Sequence, residues 1–592
     1  MSYKDLNTFI KELDRIGELK RITAEVSAEL EITEITDRVS KAHGPALLFE
    51  KVKASDYPVL INAMGSFRRM SLGLGAKDLD SIGAEIEQYL DLGNYLSVPK
   101  LVKSIPRLLR LLHVFPRKSR LRGACQEVIR REVDLGTLPV LQCWPEDAGR
   151  FITLPLVFTK DIRSKRQNVG MYRLQILDRT STGMHWHKHK DGSEIYAGYK
   201  ESGRRMPVSV ALGCDPAITY AATAPLPKQL DEMMLAGWLR KSRVKLVKCI
   251  TNDIYVPANA EFILEGYVDP QEEPVLEGPF GDHTGYYSLA DYYPRFHVTC
   301  ITHRKNAIYP ATVVGKPPME DCYMAKVTER IFLPMLKLTI PELVDINLPL
   351  EGVFHNCAIL SVRSHYPGSA YKVMNSVWGM GQMMYTKLIV VVNETVDVQK
   401  LAEVRDAVLK NVRGANQLFI AEGPLDALDH SSNRALYGSR LGIDATGYNM
   451  GEAVQDNEIT RDSSQYHSRD NSMDSFLLTD TCHILSITKE KPWQGREAIK
   501  EYMEHSRDRF VIAVDAGVDP KDLSTVMWKV FNNIDAKRDL LIEENRIGVD
   551  ATKKWSEEGL TRAWPKDITM TEEMKRQVTE RWREYGIDEG NS

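Results

Sequence analysis

Two carboxylates stand five residues apart in the stretch Glu277-Gly-Pro-Phe-Gly-Asp282-His-Thr-Gly-Tyr-Tyr287. Gly278, Pro279 and Gly281 separate them. A helix is disfavoured across that spacer, because proline lacks a donor and glycine weakens a helix. A tight loop can turn both acids toward one point, with His283, Tyr286 and Tyr287 beside them. Paired carboxylates in a shaped loop are a common arrangement for proton transfer. A turn carrying two solvated acids would have the same composition.

A second stretch, Arg166-Gln-Asn168-Val-Gly-Met-Tyr-Arg173, leads into Gly183-Met-His185-Trp-His187-Lys-His189-Lys-Asp-Gly192. The three histidines alternate. In a strand they would share a face, and imidazoles on one face suit a transition metal. Added carboxylate or amide oxygen would move the preference toward Mn²⁺ or Mg²⁺. Such a site needs further ligands from elsewhere, so a polar strand edge is the competing reading.

Together the two segments resemble the UbiD-type decarboxylases, which use prenylated FMN. Further matching stretches run in family order: Gly17-Glu-Leu-Lys-Arg-Ile22, Gly44-Pro-Ala-Leu-Leu-Phe-Glu50, Cys143-Trp-Pro-Glu-Asp147, Pro207-Val-Ser-Val-Ala-Leu-Gly213, Val247-Lys-Cys-Ile-Thr-Asn-Asp253 and Met384-Tyr-Thr-Lys387. They cover about residues 1–446, and a tail like the family's C-terminus recurs at 548–565.

The resemblance carries roles to single positions. It implies Arg173, Glu277 and Asp282 as the catalytic set, with Asp282 returning a proton to the carbon that loses CO₂. Aspartate at 282 is similar to the hydroxybenzoate-type members. It implies Asn168, His185 and Glu232 as ligands of a divalent ion, usually Mn²⁺, with K⁺ nearby left open. Met171, Tyr172, Arg173, His185, Trp186, His187, Lys190 and Asp191 fall on flavin-contact positions, and Lys387 on the phosphate side. Breaking an aryl C–CO₂⁻ bond needs an electron sink that no side chain supplies, so a cofactor must.

The implied substrate is an aromatic acid, polyprenylated if the protein serves ubiquinone or menaquinone synthesis. A small aromatic or acrylic acid outside quinone synthesis is the alternative, and a non-catalytic flavin-binding protein the third reading. The implied partners are a flavin prenyltransferase that supplies the cofactor, and further copies of the chain in a dimer or hexamer.

The elements that must position these residues can be traced along the chain. Its 592 residues call for several domains; 43% hydrophobic and 27% charged residues are ordinary for a globular protein. A net charge of -4 argues against generic nucleic-acid binding. Cysteines 125, 143, 214, 249, 300, 322, 357 and 482 form no CxxC pair, which suits reduced thiols in a cytosol. Leu6, Phe9, Ile10, Leu13 and Ile16 recur at helical spacing, so the N-terminus reads as a helix and not a signal peptide. From Lys103 to Arg122 there are seven Lys/Arg and no acid, interleaved with leucines. We expect a connector whose leucines pack on the core; peripheral contact with the inner face of a membrane is the alternative.

The expected fold is mixed α/β. Residues 1–115 read as an α/β domain and 116–315 as a strand-rich domain, by resemblance the split β-barrel that holds flavin. Residues 316–349 read as a connection with a helix over 327–338, and 350–446 as a C-terminal α/β domain. A repeat follows a linker at 447–480. Cys357-Ala-Ile-Leu-Ser-Val362 returns as Cys482-His-Ile-Leu-Ser-Ile487, and Gly442-Ile-Asp-Ala-Thr446 as Gly548-Val-Asp-Ala-Thr552. Residues 481–592 therefore read as a degenerate second copy, with Arg509 opposite Lys387. The catalytic stretches do not return in it, so its expected role is structural, and a chain cut near Gly447 is expected to lose assembly before chemistry.

Overall fold

The computed structural model describes residues 3–91, 104–105, 108–109, 111–186, 191–227, 230–364, 366–448, 473–543 and 545–587. The chain forms two units, one of Met1–Arg330 with Asp567–Ser592, the other of Ile331–Lys566.

The first unit opens on helix α1 (Leu6–Arg15), whose first turn is capped by Asp5 and whose Leu6, Phe9, Ile10 and Leu13 are buried. Strand β1 (Leu19–Val26), helix α2 (Glu31–Lys41), β2 (Ala46–Val52) and β3 (Val59–Ile61) follow; the sheet order is β1-β2-β3, extended by Tyr309–Pro310. The larger sheet is built from β4 (Leu156–Lys160), β5 (Gln167–Met171), β6 (Ser181–Gly183), β7 (Met206–Leu212), β8 (Phe262–Val268) and β9 (Arg295–His303). Its path is β6-β9-β8-β7-β4-β5, with Val128–Arg130 added beside β9. Every pairing in it is antiparallel. Helix α3 (Glu232–Arg240) is capped by Asp231, whose carboxylate accepts from the Met233 amide. Helix α4 (Glu320–Thr339) begins seven residues earlier than the sequence suggests.

The second unit holds the repeat. Its first sheet comprises β10 (Leu343–Asn347), β11 (Cys357–Val362), β12 (Leu388–Asn393), β13 (Leu418–Pro424) and β14 (Tyr437–Ala445), in the order β10-β11-β12-β14-β13. Its second comprises β15 (Met473–Thr479), β16 (Cys482–Ile487), β17 (Phe510–Asp515), β18 (Leu540–Glu543) and β19 (Arg546–Asp550), in the matching order β15-β16-β17-β19-β18. Parallel and antiparallel pairings fall at the same places in both.

The equivalence extends to side chains. Thr446 donates to Asp444 at 2.6 Å, as Thr552 does to Asp550. Asn411 caps the Ala445 carbonyl at 2.8 Å, and Asn533 the Ala551 carbonyl at 2.9 Å. The two copies share one apolar core: Val390, Val392 and Val404 of the first lie in it with Ile484, Val514, Val526 and Phe531 of the second.

Three boundaries differ from the sequence reading. The expected linker contains β15, which its Asp, Asn and Ser neighbours disguise. The C-terminal domain starts at β10, a short strand ahead of residue 350. The last residues do not belong to the second copy. Helix α5 (Glu572–Arg581) packs on α2: Arg38 donates to the Lys575 carbonyl at 2.7 Å, and Tyr585 to Glu31 at 2.8 Å. Just before it, the Ile568 amide donates to the Gly285 carbonyl at 2.9 Å, inside the acid-bearing loop.

A chain ending at Gly447 therefore forfeits half of a shared core and a support of the acid loop. We expect it to aggregate and to lose activity together, as read by size-exclusion chromatography and turnover. A soluble, fully active truncation would contradict this reading of the repeat.

The basic stretch also departs from expectation. Leu109, Leu112, Phe115 and Leu121 are each more than half exposed, so these apolar side chains do not pack on the core. Arg117, Lys118, Arg120 and Arg122 are exposed among them.

Candidate active site

The hairpin Phe280–Gly281 with Tyr287–Ser288 carries Asp282 just beyond its first strand. A second ribbon, Val275–Glu277 with Asp291–Tyr293, ends on Glu277. Between them the chain must bend sharply: Gly278 has φ +90°, a region that favours glycine. Gly281 has a different reason. A Cβ there would meet Trp144 Cδ1 at 2.2 Å.

Arg173, two residues past β5, ties both acids together. Its Nε donates to Glu277 at 3.0 Å, one Nη to Asp282 at 2.5 Å, and the other to Ser288 Oγ at 3.1 Å. The guanidinium lies 4.6 Å over the Phe280 ring. All three members are buried, with side-chain exposures of 9% for Arg173, 0% for Glu277 and 11% for Asp282. A charged set this dry persists only when mutually paired.

The electrostatics follow from that pairing. Burial works to raise Asp282, but the Arg173 charge and His283 outweigh it and hold the carboxyl well below its usual range. Glu277 behaves alike: burial is outweighed by the His185 hydrogen bond and by Arg173. Burial and the Arg173 charge lower His185, whose Nδ1 closes on Glu277 Oε2. The His185 ring lies 4.3 Å from that of Tyr293. His283 Nδ1 is 2.8 Å from Asp282, and its backbone amide donates to the same oxygen at 2.8 Å.

A turn from the Trp-Pro-Glu-Asp stretch seats the loop. Asp147 accepts from the Gly281 amide at 2.7 Å, and from Cys143 and Trp144 at 3.1 and 2.9 Å. Burial pushes it up to about 7 against those amides. The Ala148 amide donates to the Pro279 carbonyl at 2.9 Å, and Gln175 accepts from Gly278 at 2.9 Å. Sequence reasoning assigned Asp147 and Gln175 no role; Asp147 stood in a quoted stretch, but only burial shows what it does.

The metal and flavin expectations fare unevenly. Glu232, at the start of α3, accepts from the Val169 amide at 3.3 Å, which brings it against the strand that bears Asn168. These two oxygen donors suit a hard divalent ion. His185 follows β6, which stops at Gly183, and its Nδ1 closes on Glu277. Among the described residues no group of three or more His, Cys, Asp and Glu is placed to hold a metal. His187, His189 and Lys190 lie outside the described residues, and Asp191 opens a helix, Asp191–Ser202.

Met171 ends β5, and Tyr172 and Arg173 follow it. Trp186 is buried, its Nε1 has no partner among the described residues, and a Cβ on Gly192 would lie 2.8 Å from it. A buried, unanswered indole donor beside the acid cluster is what a polar ring such as a flavin would satisfy. Lys387 corrects its expectation. Its ammonium donates to Asp429 at 2.9 Å, Ser431 at 2.7 Å and the Asn532 carbonyl at 2.8 Å. Two of the donors stay within the first copy and one crosses to the second, so none is left for a phosphate in this arrangement.

A buried arginine thus lies between two acids beside an antiparallel sheet, and a duplicated α/β unit follows in the chain. Residues 10–87, 117–317 and 322–445 with 475–557 match the N-terminal, Rift-related and C-terminal domains of 3-octaprenyl-4-hydroxybenzoate carboxy-lyase. The chain belongs to the UbiD family. It is 49% identical over 448 residues to an uncharacterized protein of Archaeoglobus fulgidus, across 75% of this chain and 92% of that one. An uncharacterized protein of Helicobacter pylori is 34% identical over 609 residues, across 96% and 95%.

Solved structures are similar as well. The UbiD-class enzyme HmfF of Pelotomaculum thermopropionicum in complex with FMN has TM-score 0.66 and 25% identity, over 78% of this chain and 97% of that one. Vanillic acid decarboxylase of Sedimentibacter hydroxybenzoicus has TM-score 0.66 and 26% identity, over 85% and 99%.

Proposed function

We propose that the protein is a non-oxidative decarboxylase of an aromatic carboxylic acid, with prenylated FMN as its cofactor. The observation that carries this is the buried Arg173 bridge between Glu277 and Asp282, on a chain of the UbiD family. Similarity to HmfF with bound FMN, and to a vanillic acid decarboxylase, supports it. When bound, the flavin supplies the electron sink for the bond to CO₂. Met171, Tyr172 and Trp186 would hold its ring, and His185, turned to Glu277, would lie beside it.

The side chains do the rest. Arg173 fixes both acids and stabilises their charge. Asp282 returns the proton to the departing carbon. Because Arg173 and His283 keep it ionised, it must be recharged with a proton in every turnover.

The substrate we favour is a polyprenylated hydroxybenzoate or naphthoate of quinone synthesis. The exposed Leu109, Leu112, Phe115 and Leu121, set among cations, support contact with an anionic lipid surface at the inner face of a membrane. Among the described residues no helix is long and apolar enough to cross one. A flavin prenyltransferase would supply the cofactor, and a dimer or hexamer would be the working form. Mass spectrometry of products from cofactor-loaded protein tests the reading. Loss of CO₂ from prenylated acids is expected, loss only from small acids would favour the alternative substrate class, and no turnover of any acid would overturn the enzyme assignment.

Asn168 and Glu232 are the oxygen pair we assign to a divalent ion, Mn²⁺ with or without K⁺. Glu232→Gln is expected to lose flavin and activity together, read by absorbance of the purified protein. Full flavin occupancy in metal-free protein would refute the assignment.

A further inference from the structure

The Asp282 carboxylate is held from both sides. Its Oδ2 accepts from Arg173 at 2.5 Å. Its Oδ1 accepts from the His283 amide at 2.8 Å, and the His283 ring nitrogen Nδ1 lies 2.8 Å from the same oxygen. The loop fixes this geometry: the Asp282 amide donates to the Tyr286 carbonyl at 3.1 Å, and the Gly285 amide to the Asp282 carbonyl at 3.0 Å. An arginine and a backbone amide can only donate, so neither can face an oxygen that carries a proton. An imidazole nitrogen can donate or accept. Among these partners, Nδ1 alone suits Asp282 as a carboxylate and as an acid. The His283 side chain is also the more exposed of the two, 18% against 11%.

We propose that the proton Asp282 delivers is stored on Nδ1 of His283 and crosses to Asp282 Oδ1 as the carbon takes it up. This rests on the decarboxylase reading above. The step balances with solvent as the only proton source. In the loaded pair the ring carries a proton on each nitrogen and Asp282 is a carboxylate. The Nδ1 proton moves to Oδ1 across the 2.8 Å hydrogen bond. Asp282 passes it to the carbon, where a C–H bond forms with the electron pair of the broken C–CO₂ bond. Asp282 is again a carboxylate, and His283 is neutral with its proton on Nε2. Solvent returns one proton to Nδ1, so the pair takes up one proton for each CO₂ released. Asp282 alone stores a proton badly, because Arg173 outweighs burial and holds its carboxyl low. An imidazole ordinarily changes charge between about pH 5 and 8. Around this ring, Arg173 opposes the charged form and Asp282 favours it. Asp321, at the start of α4, favours it through space, with no hydrogen bond among the described residues.

His283→Asn keeps an N–H donor beside Asp282 and removes the store. Infrared difference spectra of protein carrying isotope-labelled histidine, taken between about pH 5 and 8, should show a charged-imidazole band that titrates in the wild type. That band should vanish in His283→Asn. In Asp282→Asn, which removes the counter-charge, it should titrate at lower pH. This readout needs no turnover, so it is independent of the substrate assignment. With turnover, the wild-type rate should fall as pH rises and the pair loses its proton. In His283→Asn that limb should move to lower pH, where Arg173 holds Asp282, and kcat should fall about 10²-fold with unchanged KM and flavin absorbance. A titrating histidine band that Asp282→Asn leaves unmoved overturns the proposal even if His283→Asn fails to fold. A His283→Asn enzyme with the wild-type kcat and pH profile overturns it while leaving the decarboxylase reading intact.

Discussion

Asp282→Asn should leave the flavin spectrum in place and cost about 10²–10⁴-fold in decarboxylation, the usual loss when a positioned acid is removed. The amide has one acceptor oxygen where the carboxylate has two, so it keeps either the Arg173 or the His283 bond, while Asp147 and Gln175 still seat the loop. What disappears is the group that carries a proton to the carbon. In D₂O the wild-type product should carry deuterium where the carboxylate stood. Near-normal turnover of the variant would exclude Asp282 as donor, whatever the substrate.

Removing the arginine should do more damage. Arg173→Met strands Glu277 and Asp282 in a buried site, and breaking a buried pair in this way typically costs ~3–5 kcal/mol. The sign with pH follows from the carboxyls. Both are held below their ordinary values in the folded protein, so the stability they contribute is present above the unfolded carboxylate range. It is lost as pH falls through their folded values. In Arg173→Met only His185 on Glu277 and His283 on Asp282 remain to oppose burial, so both acids should titrate higher and the loss of stability on acidification should begin at higher pH. Thermal unfolding across pH reads the difference. Parallel wild-type and variant curves would show that Arg173 is not what holds the acids.

Much of this site was legible because its residues lie close in sequence. Glu277, Asp282 and the glycines between them announce a bend, and the hairpin forms where the spacing requires it. The duplication was legible for the same reason, since a strand of six apolar-rich residues returning with its Asp-Ala-Thr ending survives any change of partner. What failed were inferences needing a partner far along the chain. Lys387 reads as a phosphate-side lysine until the Asn532 carbonyl, 145 residues away, is found accepting from it. His185 reads as one of three alternating ligands until β6 is seen to stop at Gly183. Asp147 is an ordinary letter in a sequence; only its burial makes it consequential. The leucines after Lys103 mislead in the opposite direction, because apolar spacing does not say whether the core or something outside the chain will cover them.

The strand pairing of Tyr286 with Asp567 has a consequence for how the protein is made. Arg330 closes the first stretch of the catalytic unit, and the chain then spends Ile331–Lys566 on the other unit before returning. At roughly 5–20 residues per second of synthesis, the acid loop waits about 10–50 s on the ribosome for the segment that braces it. During that interval the duplicated unit can fold, while the loop bearing Asp282 lacks its contacts with Asp567 and Ile568. A nascent chain therefore cannot brace this loop fully before Asp567 has been made.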